Sequence, residues 1–247
     1  MSAIESAEAS GSKMTLVYIV GHPRQIKPYA ELFLKHKNKV FRGTRDINEA
    51  DIVVFTGGAD VHPFYYGEQP LNTTQWDDER DRMDLDAWNA SEGKLRVGIC
   101  RGAQFLNVMC GGTLWQHVDN HASIDHTIID VVAGSRIYAT STHHQMMIPA
   151  KSGRLVAYAM EAKTKIAHGK EWEKQPGIGE VAFLDPNIRD PEVVMYDEQK
   201  CLCFQPHPEL WNATEGLKTY FFNQLEILSL RQKAKEALDV AGQATTK

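Results

Sequence analysis

A cysteine stands between two glycines in Gly98-Ile99-Cys100-Arg101-Gly102-Ala103-Gln104, directly after the short apolar run Arg96–Ile99. The helix-compatible stretch Ala103–Met109 follows it. A strand that turns sharply into a helix is the pattern of a nucleophile elbow. Such a turn holds its central residue in a strained conformation, and small neighbours let strand and helix approach closely. At a helix N-terminus the Cys100 thiol feels the positive end of the helix dipole, which favours thiolate. The next backbone N–H, that of Arg101, is placed where an oxyanion would form. A buried structural cysteine is the competing reading, since free thiols are commonly buried. The elbow pattern favours chemistry.

A thiol nucleophile needs a base, and the base needs an orienting group. Residues 203–210 read Cys-Phe-Gln-Pro-His-Pro-Glu-Leu. Pro206 and Pro208 deny a helical conformation to the residues before them, Gln205 and His207. In an extended segment, residues two apart project to the same side, so the Glu209 carboxylate can accept from one nitrogen of His207 while the other faces the thiol. Cys100, His207 and Glu209 would then form a triad from two distant segments. A third piece is Asp51-Ile-Val-Val-Phe-Thr-Gly-Gly58, a β-branched run that ends in a glycine pair. A strand end of this kind exposes N–H groups to a substrate carbonyl. Gly58 is therefore the second expected oxyanion donor beside Arg101.

With these blocks in view, the chain resembles the class I glutamine amidotransferase-like superfamily. Within it, the chain is most similar to the gamma-glutamyl-gamma-aminobutyrate hydrolase type of cysteine peptidase. The general resemblance rests on Gly98–Gly102 with Gln104 and on His207-Pro208-Glu209. The narrower one rests on Gly57-Gly-Ala-Asp-Val-His-Pro63 with Tyr66-Gly-Glu68, on Asn107 with Gly111-Gly-Thr-Leu114, and on Ser141-Thr-His-His-Gln145. The resemblance implies that Cys100 attacks a gamma-glutamyl carbonyl to give a glutamyl thioester, that His207 moves the protons and that Glu209 fixes its tautomer. It also implies that Gly57, Gln104, His143, His144 and Gln145 line the substrate pocket. Two departures stand out. Residues 161–190, with Trp172 and His168, differ where the family places substrate-facing loops, and Pro206 occupies a position where amidotransferases often carry an aromatic residue.

The elements that must position these residues alternate. Strands are expected at Thr15–Val20, Lys39–Arg42, Asp51–Thr56 and the elbow strand, and helices at Gln25–Lys37, Thr74–Ser91 and about Thr214–Ala234. Short strands at Thr127–Val132, Arg154–Tyr158, Glu180–Leu184, Glu192–Tyr196 and Lys200–Phe204 are expected to extend the sheet. The alternation predicts an α/β fold, a three-layer α/β/α sandwich on a mostly parallel, flavodoxin-like sheet with a small antiparallel extension. The site should lie at the carboxyl ends of the parallel strands. One domain over residues 14–240 is expected, after a disordered leader at 1–13 and before a flexible tail at 241–247.

Composition narrows the partners. At 247 residues with 43% hydrophobic, the chain can bury one large core. A net charge of −5 without a dense basic run argues against nucleic acid, and no apolar stretch reaches membrane-spanning length. Cysteines at 100, 110, 201 and 203 form no Cys-x-x-Cys pair, which reads as a reduced, cytoplasmic protein. The charged run Asp77–Asp86 reads as a solvated helix face, with Arg80 or Arg82 as an alternative clamp for a substrate carboxylate. His117 and His121 are four apart, but Asp119-Asn120 interrupts any helix between them. Neither metal nor cofactor is expected, and the histidines should lie at the surface or line the pocket. Three functions fit: a free-standing gamma-glutamyl hydrolase, a glutaminase subunit serving a separate synthetase, and a non-catalytic binding or redox protein.

Overall fold

The computed structural model describes residues 14–160, 167–168 and 190–244. The order is β1 (Thr15–Val20), α1 (Lys27–Leu34), β2 (Phe41–Gly43), β3 (Ile52–Phe55), α2 (Asp78–Ala90), β4 (Leu95–Ile99) and α3 (Arg101–Met109). Short strands follow: β5 (Thr113–Trp115), β6 (His117–Val118), β7 (His126–Asp130), β8 (Arg136–Ala139) and β9 (Met146–Ile148). The chain closes with β10 (Arg154–Ala159), β11 (Ala167–His168), β12 (Pro191–Tyr196), β13 (Cys201–Phe204) and α4 (Glu215–Ala244).

Nine strands form one sheet in the order β2-β1-β3-β4-β13-β12-β10-β7-β8. The pairings from β2 to β13 are parallel, and those from β13 to β8 antiparallel. All residues of β3, β12 and β13 are buried, as strands covered on both faces require. Alternation divides their side chains. Ile52, Val54, Leu202 and Phe204 face a cluster with Phe33 of α1 and Leu217, Phe221 and Leu225 of α4. Val53, Phe55, Cys201 and Cys203 face the opposite cluster with Ala87 of α2 and Phe105 and Leu106 of α3. The result is the expected three-layer α/β/α sandwich, with all four cysteines free and buried.

Several boundaries differ from expectation. The antiparallel part reaches four strands because β8, beyond the Gly134 turn, adds an edge to β7. The closing helix runs to Ala244 and takes in the first residues assigned to a tail. The Glu180–Leu184 strand lies outside the described residues. Among the described residues, no helix is long and apolar enough to cross a membrane.

Candidate active site

Three neighbouring parallel strands, β3, β4 and β13, bring the expected site residues together at their carboxyl ends. After β4 the chain turns at Cys100, with φ 53° and ψ −114°, and α3 begins at the next residue. This left-handed φ is strained for a side chain with a Cβ. The flanking glycines are required by contact. A Cβ on Gly98 would lie 2.3 Å from the Gly102 carbonyl oxygen, and one on Gly102 would lie 2.1 Å from that of Phe55. Strand and helix therefore touch backbone to backbone. The Cys100 N–H donates to the Phe204 carbonyl at 2.9 Å, tying the elbow to the end of β13.

Beyond β13 lies His207. Its Nδ1 is 2.6 Å from Glu209 Oε1 and its Nε2 is 2.8 Å from Thr142 Oγ1. Cys100 is its neighbour: a Cβ on Gly57 would lie 3.3 Å from His207 Cε1 and 3.7 Å from Cys100 Cβ. A carboxylate can only accept, so Nδ1 carries the proton and Nε2 meets the Thr142 hydroxyl. Burial works to lower the His207 pKa, but the Cys100 and Glu209 charges and hydrogen bonds outweigh it and hold it well above the usual histidine value. The Thr140 hydroxyl accepts from His207 N–H at 3.1 Å and donates to its carbonyl at 2.9 Å, which fixes the backbone of the base.

Gly57 and Gly58 follow β3 in a loop clamped from two sides. Gly57 N–H donates to the Tyr29 hydroxyl at 2.9 Å, and the Arg80 guanidinium donates to the carbonyls of Thr56 at 2.7 Å and Gly57 at 2.8 Å. In a trans peptide the N–H points opposite the carbonyl. Arg80 thus fixes the direction of Gly58 N–H on the exposed side of the loop. Gly57 must lack a side chain, since a Cβ there would sit 2.9 Å from Tyr29 Oη and 3.3 Å from His207 Cε1. Arg101 is the first residue of α3, a position whose N–H has no partner within the helix. Its side chain donates to the Ala59 carbonyl at 3.0 Å and pairs with Asp81 and Asp84.

The charged run and the 141–145 segment are placed by this geometry. The Asp77–Asp86 run is not simply a solvated face: Arg80, Asp81 and Asp84 are buried, because Arg101 and the loop carbonyls supply partners. Arg80 consequently serves backbone carbonyls instead of a substrate carboxylate, and Arg82 is exposed. Segment 141–145 alternates strictly, with Ser141, His143 and Gln145 buried and Thr142 and His144 turned outward. His143 donates from Nδ1 to the Gln145 carbonyl at 2.8 Å, and Gln145 Nε2 donates to the Gln116 carbonyl at 3.2 Å. His144 pairs with Asp60 at 2.9 Å, which raises its pKa against the opposing effect of burial. Gln104 is buried, with Nε2 donating to the Gln145 carbonyl at 3.0 Å and to Gln205 Oε1 at 3.3 Å.

The histidines differ from expectation as well. His121 and His126 are buried, and the His117/His121 spacing does not bring those two rings together: His117 contacts His144, whereas His121 packs on His126 and His143. Sequence reasoning missed Tyr29, Thr140 and Thr142, and it missed Arg80 as a loop clamp. Of these only Thr142 carried a local signal, its place beside the histidine pair.

The chain is similar to known proteins. A model of the peptidase C26 family matches residues 32–177. A protein named as glutamine amidotransferase-like, YvdE of Lactococcus lactis, is 33% identical over 178 residues, 70% of this chain and 71% of that one. A Mycobacterium tuberculosis protein named as a glutamine amidotransferase is 42% identical over 73 residues, 27% of this chain and 22% of its own. Among solved structures, one described as a GMP synthase subunit from Thermoplasma acidophilum superposes with TM-score 0.55 at 15% identity, covering 91% of this chain and 98% of that one. A Thermotoga maritima glutamine amidotransferase superposes with TM-score 0.50 at 15% identity, covering 91% and 94%. The structures agree in fold and the family model spans more than half of the chain, including the elbow, so the chain belongs to the peptidase C26 family of class I glutamine amidotransferase-like proteins.

Proposed function

We propose that the protein is a cysteine hydrolase that cleaves a gamma-glutamyl amide through a glutamyl thioester, releasing glutamate and an amine. The observation that carries this reading is Cys100 at a strained elbow beside His207, which in turn lies 2.6 Å from Glu209. His207 takes the thiol proton as Cys100 Sγ attacks the delta-carbonyl carbon. The N–H groups of Gly58 and Arg101 receive the oxyanion, each worth about 3–4 kcal/mol in comparable sites. Collapse expels the amine, which takes the proton from His207. Water, deprotonated by His207, then hydrolyses the thioester and regenerates the thiol. His144, turned outward, would meet the substrate, and Gln104 would act through its bonds to Gln145 and Gln205.

A second reading is a glutaminase that passes ammonia to a separate synthetase, favoured by relatives named as glutamine amidotransferase-like. Glutamate release from glutamine and from a panel of gamma-glutamyl amines and peptides, with Cys100→Ala beside the wild type, separates the two. Turnover of a gamma-glutamyl amine that disappears in the variant supports the hydrolase. Turnover of glutamine alone supports the glutaminase, and equal activity in both proteins overturns the nucleophile assignment.

A further inference from the structure

Behind the catalytic loop, His121, His126, His143 and Glu192 meet in a buried cluster drawn from three separate segments. Their hydrogen bonds fix each tautomer. His126 Nδ1 lies 3.0 Å from the Ile124 carbonyl and His143 Nδ1 lies 2.8 Å from the Gln145 carbonyl. A carbonyl only accepts, so both Nδ1 atoms carry protons. His121 Nε2 lies 2.9 Å from Asp190 Oδ2 and carries its proton there. The remaining nitrogens converge on one oxygen, Glu192 Oε1, at 2.8 Å for His126 Nε2, 3.5 Å for His121 Nδ1 and 3.8 Å for His143 Nε2.

In neutral imidazoles these inner nitrogens present lone pairs to a carboxylate. His121 Nδ1 and His143 Nε2 have no hydrogen-bond partner, although both side chains are almost wholly buried. A single extra proton can satisfy His126 and leaves the other two facing Glu192 unpaired. Protonating all three would bury two more positive charges than Glu192 neutralises, at a steep desolvation cost. A cation among the inner atoms of His121, His126 and Glu192 removes the conflict at once. A tetrahedral ion with ligand bonds of about 2.0–2.1 Å separates its ligands by about 3.3 Å, and the three distances straddle that value. The ligand atoms of His121, His126 and Glu192 lie within 4.8 Å of one another. Each imidazole already holds its outer N–H on a carboxylate or backbone carbonyl, the outer arrangement that orients metal-bound histidines.

We propose that His121, His126 and Glu192 form a structural site for one divalent transition metal of the zinc class, with the His143 ring packed beside it. Imidazole with a single carboxylate suits zinc better than calcium or magnesium. The site would join the segment before β7, β12 and the loop 140–145. That loop carries Thr142 to His207 at 2.8 Å, and the Gln145 carbonyl accepts from Gln104 at 3.0 Å. Ser141 Oγ also donates to the His121 carbonyl at 2.6 Å. The metal would therefore hold the loop behind the base without touching substrate.

The test uses the untagged full chain, stripped with a chelator and dialysed. Titration with zinc chloride should bind one equivalent and raise the thermal midpoint by about 5–10 °C at a free metal level near 100 times Kd. Cobalt(II) in its place should give visible d–d bands of tetrahedral intensity. Glu192→Gln and His126→Gln should lose the bands and the thermal shift, while His117→Gln, outside the cluster, should keep both. The cobalt spectrum of the wild type decides the matter even where a cluster variant fails to fold. No bound metal, no bands and an unchanged midpoint would overturn the site and leave a proton shared between His126 and Glu192.

Discussion

Tyr29→Phe removes one oxygen and should be felt at both the core and the oxyanion loop. The ring is buried between α1 and the sheet and Phe preserves its packing. What disappears is the acceptor of Gly57 N–H, now at 2.9 Å. Gly57 is buried, so water cannot replace the phenol. A buried donor left unsatisfied costs about 1–3 kcal/mol, which for a domain of this size lowers Tm by about 3–10 °C. Arg80 still grips the Thr56 and Gly57 carbonyls at 2.7 and 2.8 Å. The loop should therefore relax without collapsing, and kcat should fall about 10-fold, well short of the roughly 10²–10³ expected when an oxyanion donor is lost outright. KM should stay within about twofold, because the interaction at stake strengthens in the transition state. Thermal denaturation and steady-state glutamate release measure both effects. An unchanged Tm with unchanged kcat would show that the phenol does not hold the loop, and a rise in KM with kcat intact would move Tyr29 to substrate binding.

Glu209→Gln keeps the shape but loses the charge that orients His207, so kcat should drop by about 10²–10⁴ with little change in folding; retention of wild-type kcat would remove Glu209 from the triad. Gly102→Ala drives a Cβ to 2.1 Å from the Phe55 carbonyl oxygen and should cost about 1–3 kcal/mol or more in urea denaturation. Gly43→Ala, where a Cβ would meet nothing within 4 Å, should be close to neutral. The folded His207 holds its proton above the ordinary value of 6.5. Its contribution to stability is therefore fully present below that pH and is lost as pH rises through the folded value. The stability gap between wild type and His207→Gln should shrink with rising pH, and a gap that widens would contradict the imidazolium.

The elbow was legible because its causes are local. Gly98 and Gly102 flank Cys100 in sequence and are the positions where strand meets helix. The His-Pro-Glu string was legible for the same reason, since two prolines enforce the extended backbone that sets His207 beside Glu209. Long-range partners were not legible. Arg80, Asp81 and Asp84 have the spacing of a solvated helix face, and only Arg101, from another element, makes their burial tolerable. Segment 141–145 showed an alternating strip, but nothing in it said which register faces the pocket. The choice falls to the core, where the Gln116 carbonyl receives Gln145 and His143 packs on His121.

The same long-range partners explain how two strained elements hold one geometry. Cys100 sits at a left-handed φ of 53°, a conformation that relaxes unless its surroundings over-determine it. Phe204 fixes its N–H from one side. From the other side the Arg101 side chain ties the first turn of α3 to the Ala59 carbonyl, and through Asp84 to Arg80, which holds the Thr56 and Gly57 carbonyls. The elbow and the Gly57-Gly58 loop thus share one buried charge network in which each guanidinium donates both to the loop and to Asp84. Removing one partner would leave buried charge uncompensated, a far larger penalty than a surface pair would carry. Apolar packing brings β3, β4 and β13 together, and this network then fixes the relative position of Gly58, Cys100 and Arg101 within that sheet.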